Sequence, residues 1–325
     1  MRKGGLRSYI LRRLIISLLI AWGVVTITFI LLRVGPNSPA DKYLSNMGAR
    51  STDPNKVVAA INARYGLDKP IHVQYFSYLG NLIRGDWGWS FSKSMPVIEL
   101  IKKHWVYSAQ LILLTVLVSS TLGILIGVYS AVKQYTRFDY ASTFFSLVGI
   151  SVPTFWLGIM LMLLFSVRLG WFKTYYDTGL PLFSFANLKA LTLPVLTLSI
   201  GSTAGYVKYA RSAVLDNLRK DFVKFARAKG LSERTVIGKH VFRNALLTLV
   251  TILLADLSGV VFGGAYLTEI IFGIPGLGRI SFNAILNSDY PVVIAVTLIG
   301  ALVTLLTNLA TDVAYTWIDP RIRYD

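Results

Sequence analysis

The segment Asp216–Asn244 reads DNLRKDFVKFARAKGLSERTVIGKHVFRN and combines many basic residues with regularly spaced apolar ones. Leu218, Phe222, Phe225 and Lys229 follow one another at intervals of four, three and four residues, which places them on one face of a helix. A charged helix with one apolar face lies against another surface. We therefore start from this segment and work outward to the elements that hold it.

Gly230 and Ser232 mark the end of this helix and the start of a second one. Glycine readily takes the left-handed conformation that ends a helix. Serine caps the next helix, and Glu233 then stands in its first turn, where the helix dipole favours an acid. The apolar side of the second helix is formed by Val236, Ile237 and Val241. The sequence thus predicts a helix–glycine–helix hairpin under a membrane.

This basic hairpin has three interpretations on pattern alone. It lies on anionic lipid, as basic amphipathic helices commonly do. Alternatively, the ten Lys and Arg residues of the loop 207–243 only fix the topology of the chain. In the third interpretation it is a docking surface for a cytoplasmic partner.

Apolar segments lie on both sides of the hairpin, and each is long enough to cross a bilayer. The first, Leu14–Leu32, follows five basic residues and exceeds the ~7–15 apolar residues of a signal peptide. No small-residue cleavage site follows it, so we expect an uncleaved first span rather than a cleaved signal. The further segments are 106–132, 140–167, 191–209, 244–268 and 291–317.

The composition agrees with a membrane protein. Of 325 residues, 54% are apolar and 15% are charged, and the mean hydropathy is +0.57. Soluble domains carry about 25% charged residues, so a soluble or disordered chain is excluded. The net charge of +17 therefore indicates an anionic membrane surface rather than nucleic acid.

The chain has few side chains of the kinds that act in catalysis or metal binding. The chain has no cysteine, which excludes disulfides and thiolate sites. His72, His104 and His240 lie far apart and show no metal-ligand spacing. The nucleotide-binding string G-x-x-x-x-G-K-[ST] is absent.

The basic residues also predict the topology. With both termini in the cytoplasm, 19 Lys and Arg residues lie inside and 4 lie in the two short outer loops. This imbalance follows the positive-inside rule. We expect residues 34–104 to form a long outer region, with Trp87, Trp89 and Phe91 either anchoring a structural cap or helping to receive substrate.

Glycines and prolines occur within the predicted spans. Glycines at 123, 127, 149, 158, 201 and 205 favour close helix packing. Pro153 and Pro194 lie inside predicted helices and should kink them. Beside Pro153, Phe155 and Trp156 either pack within the bundle or form a platform for substrate.

At the hairpin the chain resembles the inner-membrane permease subunits of ABC importers, in particular the dipeptide/oligopeptide family. The family pattern is Glu-Ala-Ala, three residues, then Gly; here Ala226 and Gly230 match, whereas Lys224 and Phe225 replace the Glu and the first Ala. Thr248 stands where many relatives carry Pro.

The resemblance extends over nearly the whole chain. Matching strings include SVPTFWLGIMLMLLFSVRLGWF (151–172), TEIIFGIPGLGR (268–279) and DPRIRY (319–324). The opening, with RRL and FILLRVGP before a long outer loop, resembles the first, B-type permease of the pair.

The resemblance implies an all-α integral membrane protein of the type I ABC importer permease fold, with about six transmembrane helices and both termini inside. Its expected divisions are a basic N-terminus and first span (1–33), an outer region (34–104), a five-helix core (105–318) with a coupling hairpin (216–240), and a cytoplasmic tail (319–325). The expected location is a prokaryotic inner or plasma membrane.

The resemblance also implies the partners: a second permease, two cytoplasmic ATPases, an extracytoplasmic binding protein and membrane lipid, with no nucleic acid. ATP and Mg would be used by the ATPases, and this chain would bind no cofactor. The residues expected to dock the ATPase are Asp221, Phe222, Phe225, Ala226, Arg227, Ala228, Lys229, Gly230 and Leu231.

Charged residues within spans are costly, so each needs an explanation. Asp256 either lines the pathway and meets a substrate amine or forms a hydrogen bond within the bundle. Asp312 is expected to pack or to make a hydrogen bond near the inner gate. Glu269 and Arg279 either stabilise the outer turn or gate, or contact the binding protein.

The expected function is therefore ATP-driven import of di- or oligopeptides, without an enzymatic reaction on this chain. Related permeases carry oligosaccharides, nickel chelates or glutathione, and these remain alternatives. A channel would need a pore-lining polar repeat, and a membrane-embedded enzyme would need clustered acids or histidines. Neither pattern is present in the sequence.

Overall fold

The computed structural model describes residues 6–34, 68–90, 92–262, 265–287 and 289–318. These residues form helices and one short antiparallel β-hairpin, β1–β2. The elements are α1 (Leu6–Val34), α2 (Ile71–Ile83), β1 (Trp89–Ser90), β2 (Met95–Pro96), α3 (Val97–Val132), α4 (Arg137–Ser151), α5 (Thr154–Leu161), α6 (Phe185–Leu218), α7 (Asp221–Ala228), α8 (Glu233–Thr235), α9 (Phe242–Phe262), α10 (Tyr266–Ile271), α11 (Leu277–Leu286) and α12 (Tyr290–Ile318). Two π-helical segments, Met162–Arg168 and Val236–Val241, extend α5 and join α8 to α9.

Four helical stretches are long and apolar enough to cross a bilayer: Val97–Val132, Phe185–Leu218, Glu233–Leu257 and Tyr290–Thr311. A fifth crossing results if α4 and the helix after it count as one span. The predicted first span, Leu14–Leu32, lies within α1, whose described apolar stretch is Ile15–Ile27. About six spans is the architecture that these elements support.

The centre of the bundle is the long contact between α3 and α6. Gly123 and Gly127 lie on α3 at this contact, where a Cβ on Gly127 would come within 2.6 Å of the Val207 carbonyl oxygen and 2.8 Å of the Ala210 Cβ. Two small residues four apart therefore let the two helix backbones approach closely. The packing role predicted for these glycines is confirmed, whereas Gly205 has open space around it.

The kink predicted at Pro153 is a complete break. α4 ends at Ser151, α5 begins at Thr154, and the two helical stretches meet at an angle of 97°. Proline has no N–H for the helix ladder and disfavours helical backbone in the residue before it, and Val152 is extended. Pro194, by contrast, lies inside the continuous helix α6; its position within a helix is as predicted, and the kink expected there stays a prediction.

Part of the predicted outer region, residues 35–67, and Phe91 lie outside the described residues. The remainder contains α2 and the β1–β2 hairpin, and α3 begins at Val97, nine residues before the predicted span. Buried Asp289 ties this hairpin to the start of α12, because its Oδ2 accepts hydrogen bonds from Ser90 Oγ (2.6 Å) and from the backbone N–H and hydroxyl of Ser92 (2.9 and 2.7 Å).

Candidate functional site

The predicted hairpin exists, but its first helix has a different buried face. α6 ends at Leu218, and two connecting residues separate it from α7, so Leu218 and Phe222 do not belong to one helix. The buried side of α7 is formed by Val223 and Ala226, whereas Phe222 is half-buried and 69% of Phe225 is exposed. The placement of Leu218 on this face was wrong, because α6 ends there and Lys220 is in extended backbone, whereas Phe222 and Phe225 remain on one face of α7.

The end of α7 follows the prediction. Gly230 has a φ of +74°, in the left-handed region. Its N–H donates to the Arg227 carbonyl (2.9 Å), and the Leu231 N–H donates to the Ala226 carbonyl (3.3 Å). These two bonds form a Schellman motif, which glycine allows without steric cost. The direction in which the chain leaves α7 is therefore fixed by local backbone bonds.

A helix cap and two surface ion pairs stabilise the hairpin. The Ser232 hydroxyl accepts a hydrogen bond from the Thr235 N–H, as predicted. Arg227 Nε lies 2.8 Å from Glu233 Oε1, which joins the two helices across the turn. Lys224 Nζ lies 2.8 Å from the Asp221 carboxylate and lowers the pKa of that group.

The hairpin packs on the ends of the two central helices. Val223, Ala226, Val236 and Val241 form a buried cluster with α3 and α6, through Ala131, Ala213 and Val214. We name this end of the bundle the hairpin end. Because the buried side of the hairpin is occupied within the chain, only the opposite side is free to meet another protein.

The free side of the hairpin exposes two apolar side chains, and the hairpin also exposes several cations. Phe225 and Leu231 are 69% and 40% exposed. Lys224, Arg227 and Lys229 are exposed on the same hairpin. Asp221, Ala228 and Gly230 are exposed as well, whereas Ala226 is buried. All predicted docking residues therefore lie on one hairpin, although Ala226 supports it from inside and Phe222 is only partly accessible.

A buried ion pair that the sequence analysis missed lies at the hairpin end. Asp139, in the first turn of α4, accepts two hydrogen bonds from the guanidinium of Arg211 on α6 (Nε–Oδ1 2.6 Å, Nη2–Oδ2 2.8 Å). Its carboxylate also accepts bonds from the Ser130 hydroxyl of α3 and from the Tyr135 N–H (3.0 Å). One carboxylate thus joins α3, α4 and α6.

Glu269 and Arg279, which the sequence analysis paired, do meet, but not as an ion pair of side chains. Glu269 is 1% exposed; its Oε1 accepts from the Ser108 hydroxyl (2.6 Å) and its Oε2 from the Arg279 backbone N–H (2.8 Å). Ser108 Oγ also accepts from the Leu277 N–H (2.8 Å). The Arg279 guanidinium donates to the Gly273 carbonyl (2.8 Å).

Glu269 and Ser108 together therefore cap the N-terminus of α11, where free N–H groups favour an anionic acceptor. Burial raises the pKa of the Glu269 carboxyl above its ordinary value, and the hydrogen bonds oppose this only in part. Ser108 and Ser130 lie 22 residues apart on α3, about 33 Å along a helix, so this cluster stands at the opposite end of the bundle.

The two predicted span carboxylates lie apart from these clusters. Asp256 is half-buried on α9 and faces the buried Tyr206 hydroxyl of α6 without a hydrogen bond of normal geometry. Asp312 belongs to α12, but its side chain lies outside the described residues. Phe155 and Trp156 are about half exposed and line an open apolar cavity of about 600 Å³ at the break after α4.

Among the residues that the structure describes, no three His, Asp or Glu side chains cluster as metal ligands. Residues 123–324 match the family described as "Binding-protein-dependent transport system inner membrane component", and residues 6–111 match its N-terminal component. The chain belongs to this family. It is therefore an inner-membrane permease component of a transport system, which confirms the family and the location that the sequence predicts.

Similar proteins align with the permease over nearly its whole length. It is 35% identical to the oligopeptide transport system permease protein AppB of Bacillus subtilis over 98% of this chain and 99% of that one. It is 37% identical to the di/tripeptide transport system permease protein DppB of Pseudomonas aeruginosa, with the same coverage of each chain. The predicted membership of the peptide permease group is therefore confirmed.

A solved structure, the MetNI methionine ABC transporter in inward-facing conformations, has a chain similar to the permease with a TM-score of 0.50 and 18% identity. The match covers 68% of the permease and 97% of that chain. This likeness confirms the predicted fold of an ABC importer permease.

Proposed function

We propose that this permease forms half of the pathway of an ATP-driven importer that takes up di- or oligopeptides. The relatives named above are peptide permeases, and they match the chain over nearly its full length. In this proposal a second permease completes the pathway, and an extracytoplasmic binding protein delivers the peptide. The observation that carries the proposal is the hairpin with its exposed Phe225 and Leu231 and its exposed cations.

Two cytoplasmic ATPase subunits bind ATP and Mg in this proposal, because this chain has no nucleotide-binding string of its own. The apolar pair of the hairpin seats in a groove of an ATPase. The hairpin cations meet acidic groups around that groove, which favours rapid and correctly oriented docking. Closure of the ATPase pair then moves the two hairpins together, and the spans rock so that the pathway opens outward.

Asp256 is the candidate for contact with the peptide. A carboxylate in a span faces the bundle interior or a water-filled cavity, and α9 belongs to the least covered of the four described spans, with 17% of its window buried. The protonated N-terminus of a peptide carries the complementary charge. In this proposal Asp256 lines the pathway and meets that amine.

Co-purification and ligand binding test the proposed function. A tagged permease should bring down a second permease and two ATPases, and the cognate external protein should bind peptides in preference to oligosaccharides or nickel chelates. A chain that purified alone and conducted ions without ATP would refute the transporter.

A substitution tests the contact between Asp256 and the peptide. Asp256→Asn should raise the KM for peptide uptake, with Tyr209→Phe on an exposed face of α6 as the control.

A further inference from the structure

The hairpin end contains a polar cluster that the proposed docking surface does not use. Asp139 is 3% and Arg211 27% exposed at their side chains, and the guanidinium contacts both carboxylate oxygens. A bidentate pair of this kind fixes the orientation as well as the distance of the two groups. The cluster therefore fixes how α4 is oriented against α6.

Further hydrogen bonds tie the turn before α4 to the same carboxylate. Tyr135 has a φ of +65°, a conformation that is uncommon for a residue with a side chain. Its N–H donates to Asp139 Oδ2, and the Ser142 hydroxyl donates to Ser130 Oγ at 3.0 Å. The α3–α4 turn is thus held in an unusual backbone conformation by the group that binds Arg211.

This cluster is contiguous with the core of the hairpin. Ser130 precedes Ala131, and Arg211 lies two residues before Ala213; both alanines pack with the buried face of α7. A displacement of the hairpin therefore acts first on the segments of α3 and α6 that carry the partners of Asp139.

α4 also packs against α6 at its C-terminal end. Gly149 packs against α6, where a Cβ on it would lie 3.1 Å from the Ala204 Cβ. Close packing at one end and a bidentate ion pair at the other leave α4 little freedom to rotate on α6. Beyond Gly149 the chain breaks at Pro153 and turns into α5.

We propose that Asp139 and Arg211 are a positioning pair that makes α4 move as one body with the ATPase-docking hairpin, so that ATPase closure reaches the broken span. This proposal rests on the proposed function, because it assumes that ATPases act on the hairpin. The pair touches neither peptide nor ATP and acts through α4.

Arg211→Lys tests the pair with the charge conserved. Lysine keeps Asp139 neutralised but cannot form the two-bond fork. Purified complexes in liposomes, with their binding protein, should assemble at the normal yield and hydrolyse ATP. The amount of peptide imported per ATP should fall about threefold, within the range of coupling carried by residues between two sites. A purely structural defect would lower uptake and ATP hydrolysis in proportion and leave this ratio unchanged.

A disulfide provides the second test. The chain has no native cysteine, and the hydroxyls of Ser130 and Ser142 are 3.0 Å apart, so S130C/S142C can link α3 to α4. S130C removes one hydrogen bond to Asp139, so each comparison is made with the reduced double variant. In the chain with Asp139 and Arg211, oxidation should leave transport at the level of that reduced form, because the linked helices move together. Oxidation should also restore the import ratio in Arg211→Lys. The reduced double variant is the matched control.

The outcomes separate this proposal from the proposed function. A complex with the original sequence that imports no peptide contradicts the proposed function. An unchanged import ratio in Arg211→Lys, a disulfide that does not restore it, or a disulfide that stops transport in the presence of Arg211 overturns the positioning pair. If Arg211→Lys does not assemble, the oxidised S130C/S142C variant that keeps Arg211 provides the decisive result. Retained transport in that variant supports the positioning pair, and loss of transport overturns it.

Discussion

Asp139 at the hairpin end and Glu269 at the opposite end of the bundle are both buried carboxylates, and the two are stabilised differently. Asp139 faces a guanidinium, so its charge is neutralised by an opposite charge. Glu269 faces a hydroxyl and the N–H groups of α11. Both side chains join separate elements, but only Asp139 does so with an ion pair.

The two kinds of contact suit different roles. A neutralised, two-bond pair stays formed over a wide pH range and transmits a displacement. A buried carboxylate that meets only neutral donors keeps a raised pKa, so its contacts depend on protonation. The hairpin end is therefore built as a mechanical connection, and the opposite end as a helix cap that responds to pH.

Asp139→Asn should have the largest effect on stability. It leaves Arg211 without its carboxylate, and loss of one partner of a buried pair costs about 3 kcal/mol, at the lower end of the range because Arg211 is partly exposed. Thermal unfolding of the purified permease checks this. Equal stability of Asp139→Asn and Glu269→Gln would remove the distinction between the two ends.

Phe225→Glu should weaken docking strongly while leaving the fold intact. The side chain is 69% exposed, so the change costs little stability, but it places an acid where an apolar side chain and the cations of the hairpin meet the ATPase. We expect at least about a tenfold loss of ATPase binding, as for removal of a contact hot spot.

Phe183→Glu is the matched control for Phe225→Glu, because Phe183 is also exposed but lies outside the hairpin. Normal ATPase binding by Phe225→Glu would place the docking surface elsewhere. The half-buried Phe222 is a less suitable position, since a charge there would also disturb the hairpin core.

Glu269→Gln should change stability by about 1 kcal/mol, as for one altered buried hydrogen bond. The raised pKa means that the folded state binds this proton more tightly than the unfolded state does. The stabilisation is therefore complete at low pH and is lost as the pH rises through the folded-state pKa.

Melting temperatures measured across pH should show this slope in the original chain and a flatter curve in Glu269→Gln. Glu99→Gln on the exposed first turn of α3 is the control and should keep the original slope. Parallel curves for the original chain and Glu269→Gln would contradict a pH-sensitive cap.

Asp177→Asn should have the smallest effect. Lys173 lowers the pKa of the Asp177 carboxyl, but both side chains are well exposed. Exposed ion pairs contribute little to stability. The melting temperature and peptide uptake should remain unchanged, and a clear loss in either would mean that surface pairs contribute to this fold as buried ones do.

Features set by local rules could be predicted from the sequence. The left-handed Gly230 and the Ser232 cap depend only on neighbouring backbone, and both are present. Leu218 was wrongly joined to the face of α7, because α6 ends at Leu218 and Lys220, in extended backbone, precedes α7; nothing in the apolar spacing marks this break. Val223, which forms the buried side of α7, was missed.

Contacts between distant residues could not be derived from spacing. Asp139 and Arg211 are 72 residues apart, and no periodicity relates them. A signal was present, since Asp139 and Arg211 have opposite charges and both stand at the cytoplasmic ends of predicted spans, where they can pair. The acids with predicted roles were instead chosen within spans and the outer turn, where Glu269 proved to be a helix cap.

The break at Pro153 limits which surface of the permease can face lipid. α4 has 15 residues and reaches about 22 Å, less than the ~30 Å of hydrocarbon. The helix after the break begins without a side-chain cap, so its first N–H groups, which have no partner within that helix, lie at membrane depth, where acyl chains offer no hydrogen bond. This part of the wall must border water or another protein subunit, so a lipid-soluble probe should label it only when the permease is separated from its assembly.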